Sequence, residues 1–238
     1  MAFTLQWDQD GQRFYETGVN NGVIYKMRDA EDSSKTGAAK IYGAGEAWSG
    51  LTQVSENPTG AEIESIYADN IKYLSLIGTE ELEGSIECYT YPEAFKECNG
   101  EATLLGAMNI GQQPRKKFGL VFMTLHKNDL GHEFHKLHFL YSCYASPSEK
   151  SYSTVNDSPE AITFSYDFKA DPVAQTVAGK EYKTSLVIIN EKDVQAVGEV
   201  TAATIWNNLL SKVFGNGTTE ATFLYPDEIY AILSNTAN

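Results

Sequence analysis

The sequence predicts a mainly β fold with few helices, and three observations carry that prediction. Aromatic residues make up 12% of the chain, with Tyr contributing most; aromatic and β-branched side chains suit pleated, half-buried surfaces. Short apolar runs, several alternating with period two, recur between Gly, Asn, Asp and Pro turn signals. Helical patterning is confined to a short stretch near residue 95 and to the C-terminal region.

The first residues read as hairpins: FTLQW, Asp10-Gly11, RFYETGV, Asn21-Gly22, VIYKM. Asp-Gly and Asn-Gly between strand-like runs are the strongest short hairpin signals. Arg28 to Lys40 is polar, of mixed charge and aperiodic, which predicts a long mobile loop. Strand-like residues from Ile41 to Val54 lead to a turn at Asn57-Pro58-Thr59-Gly60. Strands are then predicted over Ile71–Ile77, Ser85–Tyr91, Phe118–Leu125, Ile162–Phe168 and Tyr182–Ile189. The Phe118 run is almost wholly apolar, as in a strand buried on both faces. Pro92 to Gly100 predicts a short helix, with Pro at its start, Glu early and Gly at its end. Ala202 to Phe214 stacks Ile205, Leu209 and Val213 beside Trp206, Leu210 and Phe214, ahead of Gly215: an amphipathic helix with a C-terminal cap. Pro226 to Leu233 predicts one or two further helical turns.

The 238 residues show no internal repeat and no linker. They predict one domain over 1–238, with the mobile loop at about 28–40 and a less regular C-terminal part at about 191–238. A net charge of −14 argues against a nucleic-acid binder, since such proteins grip phosphates with Lys and Arg. Cys88, Cys98 and Cys143 are odd in number and lack a CxxC pair, which suits a reducing compartment. MAFTLQWDQDG has neither the cationic start nor the apolar run of a signal peptide. No apolar window approaches the ~18 residues of a membrane span, so no membrane contact is expected.

The residues that most resemble a site are Gly131 to His138, GHEFHKLH, which hold three of the four histidines. A zinc protease motif needs histidines at i and i+4, but His132 and His135 are three apart. The run reads better as a strand, with His135, Leu137, Phe139, Tyr141 and Cys143 inward. His132, Lys136 and His138 then look toward solvent or a neighbouring subunit. No G-x-S-x-G elbow or phosphate cradle is present. No catalytic residue, metal or cofactor is predicted.

Charge is unevenly spread. From Glu56 to Glu101, eleven acidic residues are opposed only by Lys72 and Lys96. From Arg115 to Lys136 the balance reverses, led by Arg115, Lys116 and Lys117. A chain with an acidic and a basic segment can dock copies of itself head to tail.

Several long stretches in order carry a resemblance: GEAWSGLTQVSENPTGAE, YADNIKYLSL, ECYTYPEAFKECNG, IGQQPRKKFGL and YSTVNDSPEAITFSYDF, then more loosely LYPDEIYAIL. Together they resemble the major tail protein family of long-tailed bacterial viruses, in the group common in viruses and prophages of Gram-positive bacteria. The Arg28–Lys40 loop and the region from Val194 to Thr222 depart from the pattern. The resemblance implies a β-sandwich or partial barrel of the phage tail tube type. Its flanking helix maps onto Pro92–Asn99, with an additional helix near the C-terminus. It implies hexameric rings whose inner sheets join around a lumen and stack into a tube. Expected partners are further copies of the chain, a tape measure protein and tail-end proteins, with DNA passing unbound. The expected location is the virion tail, assembled in the host bacterial cytoplasm. Glu62, Glu64 and Asp69 are candidate lumen-facing residues. The loop with Arg28, Asp29, Glu31, Asp32, Lys35 and Lys40 is the candidate stacking element. Arg115, Lys116 and Lys117 form the candidate inter-subunit patch. Other readings are a carbohydrate-binding sandwich, a zinc enzyme and the tube subunit of a phage-tail-like bacteriocin.

Overall fold

The computed structural model describes residues 5–152, 154 and 161–236. Phe3 and Thr4 of FTLQW, and residues 153 and 155–160 of the YSTVNDSPEAITFSYDF stretch, lie outside the described residues. In chain order the elements are β1 (Phe14–Lys26), β2 (Glu46–Trp48), β3 (Leu51–Gly60), β4 (Ile63–Ala68), β5 (Ile71–Ile77) and β6 (Glu80–Cys88). Next come α1 (Glu93–Cys98), β7 (Ala102–Leu104), β8 (Met108–Ile110), β9 (Phe118–Asn128) and β10 (Glu133–Ala145). The chain ends with β11 (Phe164–Ala170), β12 (Val173–Val177), β13 (Lys180–Thr184), β14 (Leu186–Asn190), α2 (Ala202–Phe214) and α3 (Pro226–Leu233). The fold is mainly β and antiparallel, and its sheet does not close into a barrel.

The apolar run at Phe118 is a doubly buried strand, as predicted. β9 pairs with β1 on one side and β10 on the other. Because strand side chains alternate, the three strands feed two cores. Tyr25, Val121, Met123, Leu137, Phe139 and Tyr141 face one core, which α2 and α3 cover with Trp206, Leu209, Val213 and Ile229. Ile24, Phe118, Leu120, Phe122 and Leu140 face the other. There β11, β6 and β3 curl back over the sheet, and Phe95 of α1 plugs the gap.

β10 forks. Lys136–Leu140 pair with β14, whereas Cys143–Ala145 pair with β11. A register shift between Leu140 and Cys143 marks the branch, and Ser142 there has φ 47°. The extra residue moves Cys143 off the face of Leu137, Phe139 and Tyr141, where simple alternation placed it, into the opposite core. The Tyr42 hydroxyl accepts from the Ser142 amide at 3.2 Å, satisfying a donor that the bulge frees.

The helices form where predicted. The Thr201 hydroxyl accepts from the Thr204 amide at 3.2 Å at the start of α2, and Gly215, with φ 75°, ends it. α1 lies in the segment matched to the family's flanking helix. The Glu46 carboxylate of β2 accepts from the Glu93 and Ala94 amides at 2.8 and 2.9 Å at its start. The C-terminal part, expected to be less regular, supplies the helical layer of the first core.

Other expectations need correction. Asn21-Gly22 is no hairpin turn: β1 continues through it, with a register shift between Asn20 and Val23. Asn57-Pro58-Thr59-Gly60 lies inside β3, an edge strand, where Pro costs no ladder bond on its outer side. Tyr182–Ile189 splits at Ser185, β13 pairing with β12 and β14 with β10. Asp10-Gly11 does turn, but Leu5–Trp7 form no strand. The Arg28–Lys40 loop makes backbone hydrogen bonds within itself and to α3. The Arg28 amide donates to Ile41 O at 2.8 Å and the Asp32 amide to Lys40 O at 2.9 Å. The Ala38 amide reaches the Glu228 carboxylate of α3 at 3.0 Å.

Gly119 is the tightest point of the first core. A Cβ there would meet the Phe223 ring at 2.6 Å, and that ring also packs on Tyr25, Tyr42, Phe139 and Tyr141. Gly119→Ala is expected to cost about 1–3 kcal/mol by overpacking. Urea unfolding should show a lowered midpoint with an unchanged slope.

Candidate assembly surfaces

Beyond Gly60 and Glu80 the β3–β6 pair continues as the β4–β5 ribbon. The Ala61 amide donates to Thr79 O and the Gly78 amide to Glu62 O across the junction. The ribbon turns at Asp69-Asn70, both at positive φ, as a two-residue hairpin loop requires. Among the described residues nothing packs on it. Ile63, Ile66, Tyr67, Ile71, Tyr73, Leu74, Leu76 and Ile77 are all exposed, Tyr73 at 68% and Ile77 at 71%. By strand alternation Ile63, Tyr73 and Ile77 lie on one face; Ile66, Leu74 and Leu76 lie on the other, with Glu62 and Glu64. Both faces are therefore apolar. An isolated hairpin is marginal in water, and exposed apolar patches of this size mark interaction sites. The candidate lumen residues Glu62, Glu64 and Asp69 all sit on this ribbon.

The candidate stacking loop and basic patch meet inside one chain. Lys116 Nζ lies 2.9 Å from Asp29 and 2.9 Å from Glu97. Glu97 also receives Lys26 at 2.6 Å. Lys117 pairs with Asp171 at 2.8 Å and covers the Tyr144 ring. The Arg115 guanidinium donates to Ala145 O at 2.7 Å. Within the loop Lys40 pairs with Glu31, Lys35 approaches Glu220 at 3.8 Å, and Arg28 donates to Tyr42 O. Asp32 accepts from the Ser34 hydroxyl and amide, which hold its carboxyl below its ordinary value. The patch is thus a set of intramolecular clasps, and the loop exposes Arg28 to Glu31 as well as its apex, Ser33 to Gly37.

The histidines are separated. His138, expected to face solvent or a neighbour, is buried. Its ring stacks on Phe122 at 4.5 Å, and its nitrogens reach Glu56 at 2.9 Å and Thr124 at 3.1 Å. It was misplaced because β3, which brings Glu56, curls over that face of β10. Glu16 lies beside it, 3.6 Å away. Burial alone would raise the Glu16 carboxyl, but hydrogen bonds from Lys136 and Thr124 outweigh it and hold the group below its usual range. His135 pairs with Glu191 at 3.0 Å, and His132 contacts Asn128. Among the described residues no cluster of His, Cys, Asp or Glu is arranged to hold a metal. The three cysteines are buried, and burial pushes the Cys98 thiol up to about 12 and Cys143 higher still. Trp48 packs on Phe95 and Trp206 lies in the helical core, so neither offers a stacking platform for a sugar.

Sequence reasoning picked out the acidic residues of the ribbon but missed its apolar ones. The signal was present: from Ile63 to Ile77 apolar side chains occupy both phases of the alternation.

No protein-family model matches the chain, and no curated protein matches it in sequence. Among solved structures it is similar to a chain of the anti-feeding prophage (AFP) baseplate. That likeness covers 78% of this chain and 97% of the other, at 8% identity and a TM-score of 0.33. It is also similar to a chain of the PVC sheath–tube complex, an extracellular contractile injection system in its extended state. Here the cover is 76% and 94%, the identity 13% and the TM-score 0.29.

The Lys116 and Lys26 ammonium groups hold the Glu97 carboxyl below its ordinary value. A depressed carboxyl contributes stability above its unfolded pKa and loses it as pH falls through the folded one. Glu97→Gln should therefore lower the urea midpoint at pH 7, by less than about 1 kcal/mol for so exposed a pair. The difference should shrink as pH falls below the ordinary carboxylate range and vanish once pH is below Glu97's own lowered value.

Proposed function

We propose that the chain is a structural virion protein, the major tail tube subunit of a long-tailed bacterial virus. In this reading it forms stacked hexameric rings that conduct DNA during host infection. The carrying observation is the β4–β5 ribbon, whose two apolar faces and free edges demand neighbours. The resemblance in sequence supplies the kind of assembly. Sheet edges exposed in a monomer are liabilities, and ring closure satisfies them. Rings stacked head to tail form an open-ended polymer.

In this reading Glu62, Glu64 and Asp69 face the lumen, where carboxylates repel the phosphate backbone. DNA then slides without the counterion-release affinity of a basic channel. The apex of the Arg28–Lys40 loop meets the next ring. Arg115, Lys116 and Lys117 either hold their clasps or exchange them for a neighbour's carboxylates. A tape measure protein and tail-end proteins are the further partners, and the subunits assemble in the host cytoplasm before serving in the virion tail.

Negative-stain microscopy of the purified protein tests the reading. Rings or tubes are expected from the wild type. The double variant Ile71→Asp/Tyr73→Asp should remain monomeric with an unchanged melting temperature, because the ribbon lies outside both cores. A wild type that stays monomeric at every concentration, or a variant that assembles normally, would refute the proposal. A ring with a net basic lumen would refute the conduit.

A further inference from the structure

His138 is 7% exposed and is bonded to two other strands. Its Nδ1 is 2.9 Å from Glu56 Oε1 of β3, and its Nε2 is 3.1 Å from Thr124 Oγ1 of β9. The Thr124 hydroxyl in turn donates to Glu16 Oε1 of β1 at 2.5 Å, and the Lys136 ammonium of β10 donates to the other Glu16 oxygen. The protons along these contacts can be counted.

A hydroxyl has one proton to give, and an ionised carboxylate has none. Burial opposes ionisation of Glu16, but the hydrogen bonds from Lys136 and Thr124 outweigh it. The Thr124 proton is therefore committed to Glu16. Only lone pairs of Thr124 Oγ1 remain for His138, so Nε2 must carry a hydrogen to make its contact. Glu56 as a carboxylate can only accept, so Nδ1 must carry one as well. A neutral imidazole has a single N–H and would set a bare nitrogen against one of these oxygens.

The charges around the ring agree with this count. Glu56 lies against Nδ1, and Glu16 Oε1 lies 3.6 Å from Nε2. Lys136 balances Glu16, which leaves Glu56 to be balanced by the ring. A charge buried as deeply as the ring's needs such a partner. Ile188 of β14, opposite His138, and Val54 and Pro58 of β3, in phase with Glu56, are uncharged. His126 of β9 lies opposite Glu16 in register.

We propose that His138 is held as the imidazolium near neutral pH and works as a proton-dependent clasp between β3 and the central sheet. Loss of one proton leaves a lone pair facing Glu56 or Thr124, and the ring then gives up one of its two ties. Glu56 stands on the last stretch of β3 before Gly60, beyond which the β3–β6 pair continues as the β4–β5 ribbon. The charge on one ring thereby sets how firmly the root of the ribbon is held, closed in acid and slack in alkali. The clasp lies within one chain and does not depend on the assembly reading.

Nuclear magnetic resonance of the full-length protein, labelled with nitrogen-15 histidine, tests it. The His138 ring is assigned through its contacts with the Phe122 ring that stacks on it. Near neutral pH both of its nitrogens are expected at the shifts of protonated nitrogen. A bare nitrogen at either position, including the case in which the proton sits on Glu56, would overturn the proposal. As pH rises and the ring loses its proton, hydrogen-exchange protection of the β3 amides from Val54 to Asn57 should fall several-fold relative to that of Leu120 and Val121 in β9. Equal protection on both sides of that titration would overturn the clasp. In Glu56→Gln the amide can donate to a bare Nδ1, so the ring should be neutral near neutral pH, with its hydrogen on Nε2. A ring still doubly protonated in that variant would overturn the part assigned to Glu56.

Discussion

Everything in this structure hangs on one sheet, β1–β9–β10, being buried on both faces. Apolar burial stabilises by roughly 25 cal/mol per Å², and a strand wet on one side collects only half of what it can. Phe118 to Met123 collects both halves, with Phe118, Leu120 and Phe122 on one side and Val121 and Met123 on the other. The cost is that two covering layers must be built. The curled β11–β6–β3 layer with α1 covers one face. α2, α3 and Phe223 cover the other.

Two covers on one sheet raise a topological problem, which the fork in β10 solves. A strand cannot pair with β11 and β14 along the same residues of one edge, so the edge is divided at Ser142. The upstream half takes β14, beside the helical layer, and the downstream half takes β11, which leads away into the curled layer. His138 then ties the curled layer to the sheet. Glu56 of β3 and Thr124 of β9 bond opposite nitrogens of its ring, and Phe122 stacks beneath it. A buried imidazole left unpaired would be costly; satisfied on both nitrogens, it fixes where β3 lies.

How much of this the sequence discloses depends on how local each signal is. α2 was legible because its two apolar stripes and the glycine that ends it lie within fourteen or so residues. β9 was legible because a doubly buried strand needs no alternation. Asn21-Gly22 misled because its positive-φ capability serves a bulge as well as a turn, and β9 is long enough to pair on both sides of it. Pro58 misled because its tolerance depends on β3 being an edge, a fact of topology. His138 misled because the layer that buries it comes from residues far away in sequence. The acidic residues of the ribbon were visible as charge. The exposure of its apolar residues was not, since IKYLSLI reads as a strand whether or not anything covers it.

The arrangement separates folding from association. Neither core includes a residue of the β4–β5 ribbon. The exposed apolar side chains of the ribbon thus lie away from the residues that stabilise the subunit. A chain with a net charge of −14 repels its copies at long range, over about a Debye length of 8–10 Å, while apolar contacts act only on touching. In the proposed assembly, burial of the ribbon's apolar side chains has to outweigh that repulsion. There the ribbon serves association and the two cores serve folding, and neither core includes a ribbon residue.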